Sequence, residues 1–104
     1  NREDEYPVIV TNKENSRGRY RTIANRKVYL RKPYIQITRD NVETVAILDF
    51  IREWESYSDL EESDTFTKIR DYLKKQSISK KDLLDVVIYF PSKVSAILIK
   101  HKLV

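Results

Sequence analysis

Residues 34–54 read YIQITRDNVETVAILDFIREW, and the spacing of apolar side chains changes within this stretch. Up to Thr38 apolar and polar residues alternate, which is typical of a half-exposed strand. From Asp40 onward the apolar residues recur at helical spacing, which predicts a helix with one buried face. That face consists of Ala46, Ile47, Phe50, Ile51, Trp54 and Tyr57. The change of period divides the chain into a strand-rich part, 6–38, and a helical part, 40–103.

The strand-rich part contains four short segments that are β-branched or alternate in polarity. They span residues 7–11, 20–23, 27–30 and 34–38. The alternation predicts a small antiparallel sheet of three or four strands with one exposed face. That outward face is predicted to carry Arg19, Arg21, Lys27 and Arg31.

Polar caps and apolar stripes mark the first two helices of the second part. Asp40 is predicted to cap the first helix, with Glu43 three residues later as in a capping box. Either Ser63 or Asp64 is predicted to cap the second helix, which ends near Gln76. The buried face of that helix is predicted to hold Phe66, Ile69, Tyr72 and Leu73.

Pro91 separates a third predicted helix from a fourth, because proline fits the first turn of a helix but not its middle. Ser79 with Asp82 repeats the capping pattern, and the largely apolar run 83–90 predicts that the third helix is the most buried. The fourth helix is predicted to bury Val94, Ile97, Leu98 and Leu103. We therefore predict an α+β fold, a small N-terminal antiparallel sheet packed on about four C-terminal helices, in a single domain over residues 1–104.

Charge is strongly segmented along the chain, whose 20 basic and 16 acidic residues give a net charge of +4. Residues 13–32 hold eight basic residues and one acidic residue, whereas 53–64 hold six acidic residues and no basic one. Residues 65–104 are again basic, with nine positive and three negative side chains. One acidic segment between two basic ones favours electrostatic recognition of a charged partner.

The composition argues against catalysis and against bound cofactors or metals. There is no cysteine, one glycine and one histidine, His101, which is predicted to be either a solvated side chain or a favourable charge near a helix end. These residues supply no nucleophile with a base and no glycine-rich phosphate loop, and the acidic segment does not follow an EF-hand pattern. No apolar run is long enough to span a bilayer, so we expect a soluble protein. With the lack of catalytic residues, we also expect a monomeric binding protein that is not an enzyme.

Within the acidic segment, Asp59, Glu61, Glu62 and Asp64 form the predicted partner-binding patch, here called the acidic patch. Clustered carboxylates repel one another, and a basic partner would relieve that repulsion while being steered to the site. A solvated loop between two helices explains the same composition equally well.

The basic segment SRGRYRTIANRKVYLRKPY, residues 16–34, interleaves Arg and Lys with Tyr20, Tyr29 and Tyr34. Single-stranded nucleic acids can use such a mixture through ion pairing and stacking. Nucleic-acid binding is therefore the alternative function, with the basic sheet face as the site. The same alternation also follows from the two faces of an ordinary sheet. A helix-turn-helix over the last helices, presenting Lys93, Lys100 and Lys102, is a second form of this alternative.

A start at Asn1 and the lack of methionine predict a mature, processed protein or an excised domain. The chain also lacks cysteine and makes heavy use of Ile, Lys and Tyr. With the segment SRGRYRTIANRKVYLRKPYIQI followed by helices, these features resemble the mature secreted effectors of phytoplasmas. The resemblance is to those effectors that bridge plant zinc-finger transcription factors to the proteasomal ubiquitin receptor. It implies a secreted virulence adaptor that causes targeted protein degradation in the host cytoplasm or nucleus. A structural domain of a larger chain is a third interpretation.

Overall fold

The computed structural model describes residues 6–15 and 17–104. The chain divides into two compact units, one ending at Ile37 and the other running from Thr38 to Val104. The first contains three strands and is called the sheet unit; the second contains four helices and is called the helical unit. The predicted α+β class is confirmed. The single domain over the whole chain stays a prediction.

The sheet unit contains β1 (Val8–Val10), β2 (Arg19–Ile23) and β3 (Arg26–Arg31), with β3 in the centre. β2 and β3 are antiparallel as predicted, whereas β1 runs parallel to β3, so the sheet is mixed. The central position of β3 explains why Val28 and Leu30 are buried while every residue of β2 is exposed.

The fourth predicted strand, residues 34–38, does not form. The Asn12 side chain takes the place of a neighbouring strand there. Its Nδ2 donates to the Ile37 carbonyl oxygen at 2.8 Å, and its Oδ1 accepts from the Ile37 N–H at 2.8 Å. Because the N–H and the carbonyl of Ile37 are both hydrogen-bonded to the Asn12 side chain, they do not require hydrogen bonds from a neighbouring strand.

A two-residue turn joins β2 to β3 through Ala24 and Asn25, which have φ values of 51° and 63°. Positive φ at both central residues is the signature of a type I′ turn, whose twist matches that of the strands. Where β2 begins, a Cβ on Gly18 would overlap the phenol of Tyr29. The glycine is therefore required by the close approach of the tyrosine ring.

The helical unit contains α1 (Val42–Glu53), a 3-10 turn (Trp54–Ser56), α2 (Glu62–Lys75), α3 (Lys80–Val87) and α4 (Ser92–Lys100). α1 packs against α3 and α4. The most deeply buried side chains are large and apolar, and they come from all four helices: Leu48, Ile51, Phe66, Leu83, Val94 and Leu98. These residues form the core of the unit.

The predicted apolar faces hold for α2 and α4 but not for α1 and α3. α1 buries Thr44, Val45, Ile47, Leu48 and Ile51, so its buried face is rotated from the predicted one. Ala46 and Tyr57 are exposed, and Phe50 and Trp54 are half-buried. In α3, Leu83, Val86 and Val87 are buried, whereas Leu84, Ile88 and Tyr89 are exposed. The third helix is therefore not uniformly buried as predicted.

One of the three predicted helix caps is confirmed. Ser79 and Asp82 form a reciprocal capping box at the start of α3. α1 is preceded by Asn41 instead of Asp40. α2 is capped by Glu61, whose carboxylate accepts from the N–H groups of residues 63 and 64, instead of by Ser63 or Asp64.

α2 and α4 both end in a Schellman motif, with a non-glycine residue in the left-handed conformation. After α2, Ser77 has φ 56° and its N–H donates to Lys74, while Ile78 donates to Leu73. After α4, Lys102 has φ 58°, and the same two hydrogen bonds recur. Carbonyl groups in the last turns of α2 and α4 thus accept hydrogen bonds from the backbone that follows each helix.

Candidate functional site

The acidic patch lies where the chain enters α2, and three of its four carboxylates have structural roles. Glu61 caps α2. Asp64 pairs with Lys68 at 3.2 Å on the exposed surface of the helix. Glu62 pairs with Lys100 at 3.2 Å and with His101 at 2.9 Å. Asp59 is exposed between the 3-10 turn and α2. The patch is therefore partly neutralised within the helical unit, and it is not a plain solvated loop.

Glu62 joins the start of α2 to the end of α4. The hydrogen bond from the Lys100 ammonium, together with the charge of Lys100 and the contact with His101, lowers the pKa of Glu62. A carboxylate in the first turn of a helix and cations in the last turn of another also suit the two helix dipoles. These contacts of Glu62 thus hold the start of α2 against the end of α4.

His101 is largely buried, so it is not the solvated side chain that was one of its two predicted roles; the other, a place near a helix end, agrees with its position as the C-cap of α4. Its side chain is 14% exposed, and its ring stacks on Phe66 with 3.6 Å between centroids. Trp54 meets the same phenylalanine edge to face at 5.2 Å. Arg70 donates to the His101 carbonyl oxygen at 2.9 Å. His101 therefore closes the core, a role that its position near the end of the sequence did not signal.

An open pocket adjoins this cluster and is lined by Glu61, Glu62, Ser63, Phe66, Arg70 and His101. The histidine ring is held by the phenylalanine on its face and by Glu62 at Nε2. Among the described residues these groups form charge pairs and a stack. We see in them no nucleophile aligned with a base, and the pocket gives no support for an enzymatic reaction.

The predicted basic face does not exist as one surface, because the strand register distributes its residues over both faces of the sheet. Directly opposed residues share a face. Arg19 pairs with Leu30 and Arg21 with Val28, so both arginines lie on the face of these buried residues. Lys27 and Arg31 lie on the opposite face, and Tyr29, which stands between them in β3, lies on that same face.

Arg31 is also not outward-facing, since it is 7% exposed. Its guanidinium lies 4.9 Å from the Tyr34 ring centroid and donates to the Lys32 carbonyl oxygen at 3.2 Å. Arg19 bonds to the buried carboxylate of Glu14 at 2.9 Å, and this hydrogen bond raises the pKa of the arginine. Arg21 and Lys27 are exposed. The predicted basic site thus contains one buried residue, Arg31, and three exposed ones, of which Arg19 is paired with Glu14.

The Lys27 face of the sheet holds a cluster of aromatic rings that we call the tyrosine face: Tyr6, Tyr20 and Tyr29. Tyr20 meets Tyr6 at 5.7 Å and Tyr29 at 5.0 Å, both edge to face. The Lys27 ammonium lies 5.1 Å from the Tyr6 centroid and 4.9 Å from that of Tyr20. Sequence alternation suggested arginines and lysines beside tyrosines, and on this face the cation that lies over the rings is Lys27.

A second surface missed by the sequence lies on α3 and is called the apolar ridge: Leu84, Ile88 and Tyr89. These side chains are 48%, 73% and 54% exposed. Ile88 keeps a right-handed helical backbone, so it lies one turn beyond Leu84 on the same side of the helix. Lys81 and Asp85, paired at 2.7 Å, provide a charged border. The spacing of Leu84 and Ile88 was visible in the sequence, but nothing there showed which side of α3 faces the core.

The helix-turn-helix interpretation gains little from the structure. Residues 88–91 connect α3 to α4, and such motifs allow a connection of this length. Of the lysines assigned to a recognition helix, Lys93 is exposed on α4. Lys100 pairs with Glu62, and Lys102 lies beyond the helix with positive φ. The three lysines therefore do not form one face that could enter a groove.

The described part of the chain contains no cluster of three or more metal-ligating side chains. Across residues 6–15 and 17–104, no helix is both long and apolar enough to cross a membrane. No family model, no curated protein and no solved structure matches the chain. The functional argument therefore depends on its own surfaces.

Proposed function

We propose that this chain is a non-enzymatic adaptor that binds other proteins, and that the apolar ridge is its main contact surface. The carrying observation is the exposure of Leu84, Ile88 and Tyr89 within six residues of one another. Apolar residues scattered singly over a surface are ordinary, whereas adjacent large ones with a charged border are typical of interaction sites.

The energetics of the ridge support this proposal. Burying a large aliphatic side chain from water contributes about 1.5–3 kcal/mol. Leu84 and Ile88 are 48% and 73% exposed after folding. About half or more of that free energy of burial is therefore still available when a partner binds. Tyr89 adds a ring of the kind that is enriched at interface hot spots. A partner that covers these three residues gains apolar burial that the helical unit leaves unused.

The acidic patch is the proposed second contact surface, and its partner is a basic protein. The resemblance to phytoplasma effectors supplies candidates: a plant zinc-finger transcription factor for the patch and the proteasomal ubiquitin receptor for the other surface. On this proposal the protein is secreted and acts in the host cytoplasm or nucleus. Glu61 and Glu62 are engaged within the helical unit, and Asp64 pairs with Lys68 only on the exposed surface of α2. Exposed pairs of this kind are weak, so Asp59 and Asp64 are expected to dominate attraction of the basic partner.

The test is a binding measurement with three variants of the whole chain, using purified candidate partners and calorimetry. Leu84→Ser with Ile88→Ser should weaken one partner by at least tenfold, since apolar burial is lost. Ile99→Ser is the matched control, because Ile99 is also exposed, at 66%, but lies on α4. Asp59→Asn with Asp64→Asn should instead slow association of the basic partner and leave the first partner unaffected.

Circular dichroism and thermal unfolding must first show that each variant keeps the fold. Loss of binding to the same extent in the Ile99→Ser control would contradict the ridge as the contact surface. Unchanged binding in the Leu84→Ser, Ile88→Ser variant for every partner would contradict the proposal itself.

A further inference from the structure

The tyrosine face offers accessible aromatic surface beside a cation. Tyr20 is 57% exposed and Tyr6 is 37% exposed, although both rings contact neighbours. The Lys27 ammonium lies about equally far from the two ring centroids, at 4.9 and 5.1 Å. The two contacts are edge to face, with interplanar angles of 83° and 64°, and they leave part of the Tyr20 ring, which is 57% exposed, open to solvent.

The sheet unit that carries this face is strongly basic. The whole unit, residues 2–37, holds nine basic and four acidic residues, a net charge of +5, and among its described residues Glu14 carries the single carboxylate. That carboxylate is buried and bonded to Arg19, so it does little to weaken the positive potential of the exposed surface. Such a concentration of positive charge attracts polyanions and accelerates their association.

We propose that the tyrosine face binds single-stranded nucleic acid, with a base stacked on Tyr20 and Lys27 paired with an adjacent phosphate. Stacking accepts every base, because every base has a π-face, and phosphate pairing requires only positive charge. A double helix keeps its bases stacked inside, so it can use the charge of the unit but not its rings. This site lies in the sheet unit and goes beyond the protein-binding function proposed for the helical unit.

An acidic protein segment is the main competing occupant, and the geometry favours the nucleic acid. Carboxylates would satisfy the cations but leave the exposed Tyr20 ring unused, whereas a nucleotide engages both the ring and the cation. The exposed arginine of the opposite face, Arg21, belongs to no aromatic cluster and provides an internal control.

The experiment is fluorescence polarisation of labelled oligothymidylate and oligouridylate, of about a dozen nucleotides, with the full chain over a salt series. A duplex of the same length and polyglutamate are tested as competitors. Tyr20→Leu should weaken binding of the single strands about 5- to 100-fold because the π-face is removed while an apolar side chain is retained. Tyr20→Phe should bind like the parent chain.

Lys27→Gln should weaken binding and reduce the salt dependence by about one phosphate contact. Arg21→Gln removes the same charge from the other face and should change affinity by less than about twofold, with the salt dependence nearly unchanged. If the circular dichroism shows that Tyr20→Leu changes the fold, the inference is tested by comparing the affinities of Lys27→Gln and Arg21→Gln alone.

Three results would overturn the inference. The first is no salt-sensitive binding of either single strand. The second is equal affinity for the duplex or for polyglutamate, which would reduce the site to a general polyanion surface. The third is equal loss of affinity in the Lys27→Gln and Arg21→Gln variants, which would show that the tyrosine face has no special role.

Discussion

Replacing Ser77 with glycine should stabilise the helical unit, whereas the same replacement at Gln76 should destabilise it. Ser77 has φ 56°, a left-handed conformation that costs a residue with a Cβ about 1–2 kcal/mol. Glycine removes this cost but loses about 0.5–1 kcal/mol through the greater freedom of the unfolded chain. The net gain is about 0.5–1 kcal/mol. Gln76 has φ −89°, so glycine there brings only the entropic loss, about 0.5–1 kcal/mol.

Urea and thermal unfolding followed by circular dichroism measure both changes. In a domain of this size 1 kcal/mol shifts the Tm by roughly 4–8 °C, so the two variants should move in opposite directions by several degrees. The hydrogen bonds of the Schellman motif are made by backbone groups and survive both substitutions. If Ser77→Gly lowers the Tm as Gln76→Gly does, the left-handed turn after α2 is not present and the reasoning fails.

Gly18→Ala should destabilise the chain by about 1–3 kcal/mol in urea unfolding, because the new Cβ overlaps Tyr29. Adding Tyr29→Leu should recover part of this loss, and simple additivity of the two changes would contradict the overlap. Hydrogen bonds from Ser79 lower the pKa of Asp82 in the folded state, so its contribution to stability is present above about pH 4 and is lost as the pH falls through the lowered pKa. The stability difference between the parent and Asp82→Ala should therefore shrink on acidification, and a difference independent of pH would refute the capping box. Phe66→Ala should cost about 3–5 kcal/mol, since the ring is 1% exposed; a loss below about 1 kcal/mol would be incompatible with a core position.

Much of the local structure was determined by the sequence alone. The change of apolar period near residue 40 separated the sheet unit from the helical unit, because strands and helices present side chains with periods of 2 and 3.6. The capping box of Ser79 and Asp82 and the end of α2 at Gln76 were also correct, since these features depend on residues within one turn of each other. Local polar and apolar spacing is sufficient for such elements.

The surfaces were decided by the tertiary structure. Alternation correctly placed Arg21 and Lys27 on two neighbouring strands, but only the register between those strands sends the two residues to opposite faces. A shift of register by one residue would reverse that assignment without changing the pattern within either strand.

The same reason applies to the helices. The run of apolar residues in α3 could not show that Leu84 and Ile88 face outward, because the buried side of a short helix is selected by the elements that pack on it. In α1 the packing against α3 and α4 likewise selected Val45 and Leu48 for burial in place of Ala46 and Phe50. Sequence spacing determines which residues share a face, whereas packing and strand register determine which face meets the core and which remains available to a partner.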